Sequence, residues 1–395
     1  MACLEGGRGM SPLRAIPALV ATSFVLCSAG LKAGETPAPA EPHPVPVIHV
    51  TDLFRPHNDP DDHWDLATVY ALAYQGRLEL RGVMIDYPRP EWGNDPDVLA
   101  VAQLNYLTGK AVPVLVGSPR WYENPRSLSE AAQADLKGVR AMLEILRSSP
   151  EPVVINILGS CRDVALAGRL APEVFAQKCR AIYLNAGSGT RDPAQAKSLE
   201  WNVSLDPPAY AAIFELPCPV YWMPCFDALP PAAGRPARVG PFGTFYRFRQ
   251  GDVLAHLSPA MQNYFAYMFL HGRALGKASD VVPLRPDWLH VLLAKPDPAL
   301  MERLGAMDRA MWCTAGFLHA AGLTVTAEGN LLPLAQARQG VFSFDPVAVS
   351  CSREGITIWE PAEGTSNRFI FHVRDVARYE AAMTAALRTV LARLP

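Results

Sequence analysis

The chain has 395 residues, 36 basic against 38 acidic side chains, and a formal net charge of −2. With 50% apolar and 19% charged residues it can bury a substantial core, and it lacks the charge imbalance of a disordered chain. The balance argues against binding nucleic acid or an anionic membrane surface, which needs a basic excess, and leaves a globular protein acting on a small molecule.

Arg8 and Arg14 precede an uncharged stretch, residues 15–30, AIPALVATSFVLCSAG. Its length suits the apolar region of a signal peptide and falls short of the roughly 20 residues of a membrane helix. Small residues at Ser28, Ala29 and Ala33 suit cleavage after Ala29 or Ala33. Residues 1–33 are therefore predicted to be a signal peptide, with an uncleaved anchor as the alternative. Residues 34–46, rich in Pro and Ala, are predicted to be an extended linker, and 47–395 the folded domain. No second apolar run is long enough to span a bilayer. The mature protein is thus expected to be exported, periplasmic or extracellular, with no membrane association after signal removal.

Beyond the leader lie Cys161, Cys179, Cys218, Cys225, Cys313 and Cys351. An exported location permits disulfides, buried thiols are the equal alternative, and the lack of any CxxC pair argues against a zinc site.

From residue 45 strand-like and helix-like segments alternate. Strands are predicted at 45–50, 78–85, 112–116, 153–158, 181–184 and 220–223, and helices at 64–74, 98–107, 128–147, 164–170 and 209–214. Such alternation implies an α/β fold with a mainly parallel sheet covered by helices on both faces. Residues 228–243, with four prolines and three glycines, read as a long loop or lid. Helices are expected at 257–275 and 300–322, strands around 341–344, 355–359 and 369–373, and a closing helix at 376–393. Ligands of open parallel sheets sit beyond the carboxyl ends of the strands, so the residues just after each strand are the ones to inspect.

After the first strand, Asp52, Asp59, Asp61, Asp62 and Asp65 place five carboxylates within fourteen residues. Asp59 as N-cap, Pro60 at the first helical position and acids in the first turn are ordinary features of a helix start. Five acids in close company nevertheless repel and raise one another's pKa unless a cation balances them, and Asp52 ends the strand outside the cap. A hard divalent cation bound by Asp52 and Asp62 would relieve the repulsion, and Ca2+ suits an all-oxygen set best. The spacing alone leaves capping and metal binding equally open.

This arrangement of strand, Thr51-Asp52, Asp61-Asp62 at a helix start, and then Gly82-Val83 resembles the N-terminal signature of the inosine-uridine preferring nucleoside hydrolase family, DxDxGxDD, with six extra residues before Asp59. Further blocks follow in the family's order: Gly93-Asn94, Asn105-Tyr106-Leu107, 112–117 (VPVLVG) and 158–166 (LGSCRDVAL). They continue with 184–187 (LNAG), 200–209 (EWNVSLDPPA) and 344–349 (FDPVAV). The resemblance implies a three-layer fold and a hydrolase that cleaves the N-glycosidic bond of a ribonucleoside or related ribosyl compound through metal-activated water. It also implies a Ca2+ cofactor held by Asp52, Asp62 and Asp345 with a carbonyl from near Leu158. Asp52 then matches the general base, and Asp61, Asn94, Glu200 and Asn202 match residues that hold the ribose hydroxyls.

Departures accompany the matches. Phe344 stands where the family has a histidine associated with protonating the departing base, and Asn185 replaces a methionine. His57, His63 and the lid aromatics Phe242, Phe245 and Tyr246 are the alternatives for handling the leaving group. These departures keep open two further readings: a non-catalytic sugar- and metal-binding protein on the same fold, and a carbohydrate-active O-glycosidase. The leaving group and the oligomeric state, a homo-oligomer included, are not fixed by the sequence.

Overall fold

The computed structural model describes residues 43–53, 61–87, 98–123, 134–228, 237–274, 287–336 and 340–395. The expected signal peptide, most of the expected linker, His57, Asp59, Asn94 and residues 229–236 of the expected lid lie outside the described residues.

In chain order the first half runs β1 (Val45–Thr51), α1 (Asp61–Tyr74), β2 (Leu78–Ile85), α2 (Leu99–Thr108), β3 (Val114–Val116), α3 (Lys137–Ser148), β4 (Val153–Ile157), α4 (Arg162–Leu170), α5 (Pro172–Lys178) and β5 (Cys179–Asn185). There follow α6 (Pro193–Ala196), α7 (Trp201–Leu205), α8 (Pro207–Ile213), β6 (Val220–Met223), β7 (Tyr246–Arg249), α9 (Gly251–Leu254), α10 (Pro259–Ala274), α11 (Trp288–Leu293) and α12 (Pro298–Gly305). The last part holds β8 (Asp308–Met311), α13 (Thr314–Ala320), β9 (Leu323–Val325), β10 (Leu331–Pro333), β11 (Phe342–Cys351), β12 (Thr357–Pro361), β13 (Arg368–Val373) and α14 (Val376–Leu391).

The central sheet has nine strands in the order β12-β11-β13-β6-β5-β4-β1-β2-β3. From β13 to β3 every neighbouring pair is parallel, and β11 and β12 add an antiparallel edge. The strands in the middle are apolar on both faces because both faces are covered. In β1, Val47 packs into one core together with α1, α10, α13 and α14, while Ile48 and Val50 pack into a second with α3, α4 and α8. α14 is amphipathic: Tyr379, Ala382, Met383, Ala386, Leu387, Val390 and Leu391 form its buried stripe at helical spacing. α1 is buried from Asp62 to Ala73, as expected for a helix crossed by α10, α13 and α14. No helix of the described residues is long and apolar enough to cross a membrane.

The strands stand where the alternation put them. The helix expected over 300–322 does not. It is divided into α12, β8 and α13, because residues 308–311 pair antiparallel with β7. Gly305 ends α12 where its backbone meets that of Gly251, so close that a side chain on either would press on the other. Tertiary pairing here overrides a helical apolar spacing. All six cysteines of the domain are thiols, and Cys179 and Cys218 are hydrogen-bonded to each other.

Gly138, near the start of α3, lies so close to β3 that a Cβ would overlap the Val116 carbonyl. Gly138→Ala is expected to destabilise the protein by about 1–3 kcal/mol through this backbone clash, despite alanine's better helix propensity, as read from urea unfolding.

Candidate active site

The chain leaves β1 toward β2 and β3 on one side and returns as β4 on the other, so the strand order reverses at β1. Such switch points open a crevice at the carboxyl ends of the strands. Asp52 ends β1 there, Asp86 follows β2, and Leu158-Gly159-Ser160 follow β4. Gly159 is required by close approach: a Cβ would overlap the Asp86 carboxylate and come within 3.1 Å of the Asp52 backbone nitrogen. The Ser160 N–H donates to Asp86 Oδ2, while Asp86 Oδ1 is buried with no hydrogen-bond partner among the described residues.

α1 delivers Asp61, Asp62 and Asp65 to the same place, each with an oxygen within 4.8 Å of the others. Asp62 is hydrogen-bonded to Asp52. Burial, then the charges of Asp52, Asp61 and Asp65, push its carboxyl well above the usual carboxylate range. Asp86 is raised by burial and by Asp52. The Trp201 indole N–H, 3.4 Å from Asp52 Oδ2, sets a half-exposed ring over that carboxylate.

The opposite wall comes from β5, α7 and α13. Glu200 caps α7: Oε1 accepts from Asn202 N at 2.9 Å, and Oε2 from Gly187 N at 2.9 Å and Val203 N at 3.4 Å. Asn202 donates from Nδ2 to the carbonyls of Leu158 (2.6 Å) and Asn185 (3.0 Å), tying the ends of β4 and β5 together. The Leu158 carbonyl is therefore at the site but already accepts one hydrogen bond. Asn185 is anchored through Nδ2 to Met223 O (2.9 Å) and Thr244 Oγ1 (3.1 Å), and its Oδ1 receives the thiols of Cys313 (3.2 Å) and Cys225 (3.5 Å).

Asp345 is not part of this cluster. It sits on β11, with β13, β6, β5 and β4 between it and β1, five strand spacings or roughly 24 Å of sheet away. There it is engaged by His372 Nδ1 (2.6 Å), Ser343 Oγ (3.1 Å) and Arg374. Phe344 likewise packs against Tyr183, Tyr221, His319 and Phe371, in the core and away from the acids. Among the described residues of the last third, Cys313 meets these acids through Asp65, and Trp312 precedes it in the chain. Trp312 lies between Phe226 and Phe245, at ring-centroid distances of 6.0 and 5.7 Å, and its Nε1 is buried without a partner among the described residues. Of the other proposed leaving-group residues, Tyr246 bonds to Thr314 (2.7 Å) and Phe242 packs on Trp359 and His372. His63 is fully buried, facing Tyr264. Trp312 and Cys313 escaped the sequence reading because they were absorbed into one long expected helix. The only available signal was the break after Gly305.

The family model for inosine-uridine preferring nucleoside hydrolases matches residues 58–267, more than half of the chain. The chain belongs to that family. The pyrimidine-specific ribonucleoside hydrolase RihA of Salmonella newport (strain SL254) is 33% identical over 84 residues, 21% of this chain and 26% of that protein. The chain thus spans about a quarter of that relative's length. Among solved structures, an inosine-guanosine nucleoside hydrolase is 16% identical over 88% of this chain and 98% of its own, with a TM-score of 0.49. The inosine-uridine preferring nucleoside hydrolase of Bacillus anthracis is 14% identical over 87% and 99%, with a TM-score of 0.43.

Nucleoside hydrolases act on small ribonucleosides and typically bind a metal ion. The donors at this chain's switch point suit a divalent cation: three clustered aspartate oxygens, Asp52 hydrogen-bonded to one of them, and Asp86 Oδ1, which has no partner among the described residues.

Glu200 provides a pH test. Burial outweighs the three N–H groups it accepts from and lifts its carboxyl from 4.5 to about 7. The folded state therefore binds this proton more tightly than the unfolded state. The stability it contributes is fully present below pH 4.5 and is lost as pH rises through about 7. Glu200→Gln is expected to flatten that part of the pH–stability curve, as read from denaturant unfolding of both proteins at half-unit steps.

Proposed function

We propose that the chain hydrolyses the N-glycosidic bond of a ribonucleoside or related ribosyl compound, with Asp52 as general base. The observation that supports this best is the convergence of Asp52 with Asp61, Asp62 and Asp65 at the point where the strand order reverses. Cleaving the bond develops positive charge on C1′ and the ring oxygen of the sugar, and carboxylates held close by stabilise that oxocarbenium-like state. Asp52 would take the proton of an attacking water, with the Trp201 indole N–H donating to its Oδ2 at 3.4 Å. Asp61 offers a carboxylate to the ribose hydroxyls, and Asn202, with both Nδ2 hydrogens in use, offers Oδ1. The clustered rings of Trp312, Phe226 and Phe245 would stack on a departing base, and Trp312 Nε1 has no partner among the described residues. Asp52, Asp61, Asp62 and Asp65 would hold the cation, and a bound divalent ion lowers the pKa of its water so that hydroxide is available near neutral pH. Ca2+ is the ion an all-oxygen set favours.

Purified protein supplied with divalent ions and a panel of purine and pyrimidine nucleosides is expected to release free ribose, and chelation to stop it. Ribose binding without release would point instead to a non-catalytic sugar-binding protein. Release from O-glycosides alone would point to the carbohydrate-active reading. Phe344 and Asn185 are the two departures that favour the non-catalytic alternative; Phe344 packs away from the acids, whereas Asn185 stays at the crevice.

A further inference from the structure

The thiols of the folded domain keep different company. Cys225 and Cys313 both donate to Asn185 Oδ1, at 3.5 and 3.2 Å, with the amide oxygen between them. Cys351 donates to the Ser352 carbonyl and accepts from Thr357. Cys179 and Cys218 are instead bonded to each other.

The sheet brings that pair together. β5 and β6 are parallel neighbours, with Ile182 opposite Val220 and the Ile182 N–H donating to the Pro219 carbonyl at 2.9 Å. Cys218 therefore stands at the entry to β6, beside the first residues of β5. Strict alternation back from Ile182 would send Cys179 to the other face, with Ala181. A bulge prevents this: Val153 pairs with Cys179 but Val154 with Ala181, so Arg180 is an extra residue on β5. Bulges re-aim side chains. Cys179 returns to the face of Ile182, in the core that holds Cys218 and Val220, while Ala181 belongs to the opposite core. The Arg368 guanidinium is fixed by the carbonyls of Phe214, Leu216 and Cys218. The hydrogen bond with Cys179, and then the Arg368 charge, hold the Cys218 thiol below its ordinary range, which favours the thiolate that attacks disulfides.

We propose that Cys179 and Cys218 form a disulfide when the chain meets a disulfide oxidant, joining the amino ends of β5 and β6. The Cys218 sulfur attacks one sulfur of the oxidant and expels its first thiol; the Cys179 sulfur then attacks Cys218 and expels the second. The two cysteines lose two electrons and two protons, which leave on the two thiols of the reduced oxidant. The export expected from the sequence would bring the chain to such an oxidant. The bond closes the segment 179–218, which includes Glu200 and Asn202. It does so at the strand ends opposite the crevice, so it ties down that wall without touching the acids.

The test refolds the full chain from the reduced, denatured state in a glutathione redox buffer, blocks free thiols in denaturant and maps the peptides by mass. Cys179 and Cys218 are expected in one disulfide-linked peptide pair, with Cys161, Cys225, Cys313 and Cys351 alkylated. Reducing the oxidised protein is expected to lower its thermal midpoint by about 5 °C, the effect of opening a loop of this length in a chain of this size. Cys179→Ser should lose that difference, and Cys225→Ser should keep it. Alkylation of both Cys179 and Cys218, a link from either to another cysteine, or a reducible difference that survives in Cys179→Ser overturns the proposal. The wild-type peptide map decides the matter even where a variant fails to fold.

Discussion

Replacing Asp52 with alanine is expected to lower kcat for ribonucleoside hydrolysis by about a thousandfold or more, while the thermal midpoint stays level or rises. A positioned general base contributes roughly 10²–10⁴-fold, and the same carboxylate is lost from the surroundings of the developing cation. The stability half follows from its neighbours. Asp52 is among the causes that raise the carboxyls of Asp62, Asp86 and Glu200, so its removal relieves repulsion in the folded state. A working site is here held together against its own charge, and truncation trades activity for stability. Ribose release and a melting curve on one preparation check both halves. An Asp52→Ala protein within tenfold of wild-type activity would remove Asp52 from the role of base.

The largest loss of stability is expected at Asp206→Ala, about 3–5 kcal/mol from urea unfolding. Asp206 Oδ2 pairs with Arg162 Nε at 3.0 Å, with side-chain exposures of 7% for the arginine and 0% for the aspartate. Its Oδ2 also accepts from Tyr122 N at 2.9 Å, and Oδ1 caps α8 through Ala209 N. Alanine leaves the buried guanidinium hydrogen-bonded, among the described residues, only to the carbonyls of Ser118 and Leu205 at 3.2 and 3.3 Å, with the Trp121 ring centroid 5.3 Å away and Asp86 and Asp163 as the nearby charges. Removing one partner of such a pair costs more than the pair contributes, because the other keeps its desolvation penalty. A loss below 1 kcal/mol would show that Arg162 finds solvent or another acceptor.

Much of the fold could be read from alternation, since β2 and β6 lie where their apolar runs place them. The aspartates of the first motif share one site because a strand end and the next helix start are neighbours in sequence as well as in space. Glu200 and Asn202 reach the same crevice, but their strongest bonds are structural, to backbone groups that a sequence motif does not display. Asp345 and Phe344 were misplaced for a different reason. Sheet order decides which distant segments meet, and nothing in residues 344–346 tells that β11 sits near the far edge. Cys313 lay hidden because β8 interrupts a helical spacing only once β7 is there to pair with it.

The two margins of the sheet bear on how copies of this chain can associate. β3 offers three residues, and β12 closes with Glu360 and Pro361, both exposed. A brief strand at one border, and a charge with an imide nitrogen at the other, give a second chain little to hydrogen-bond with. Self-assembly by adding a strand at either margin of this sheet is thereby discouraged.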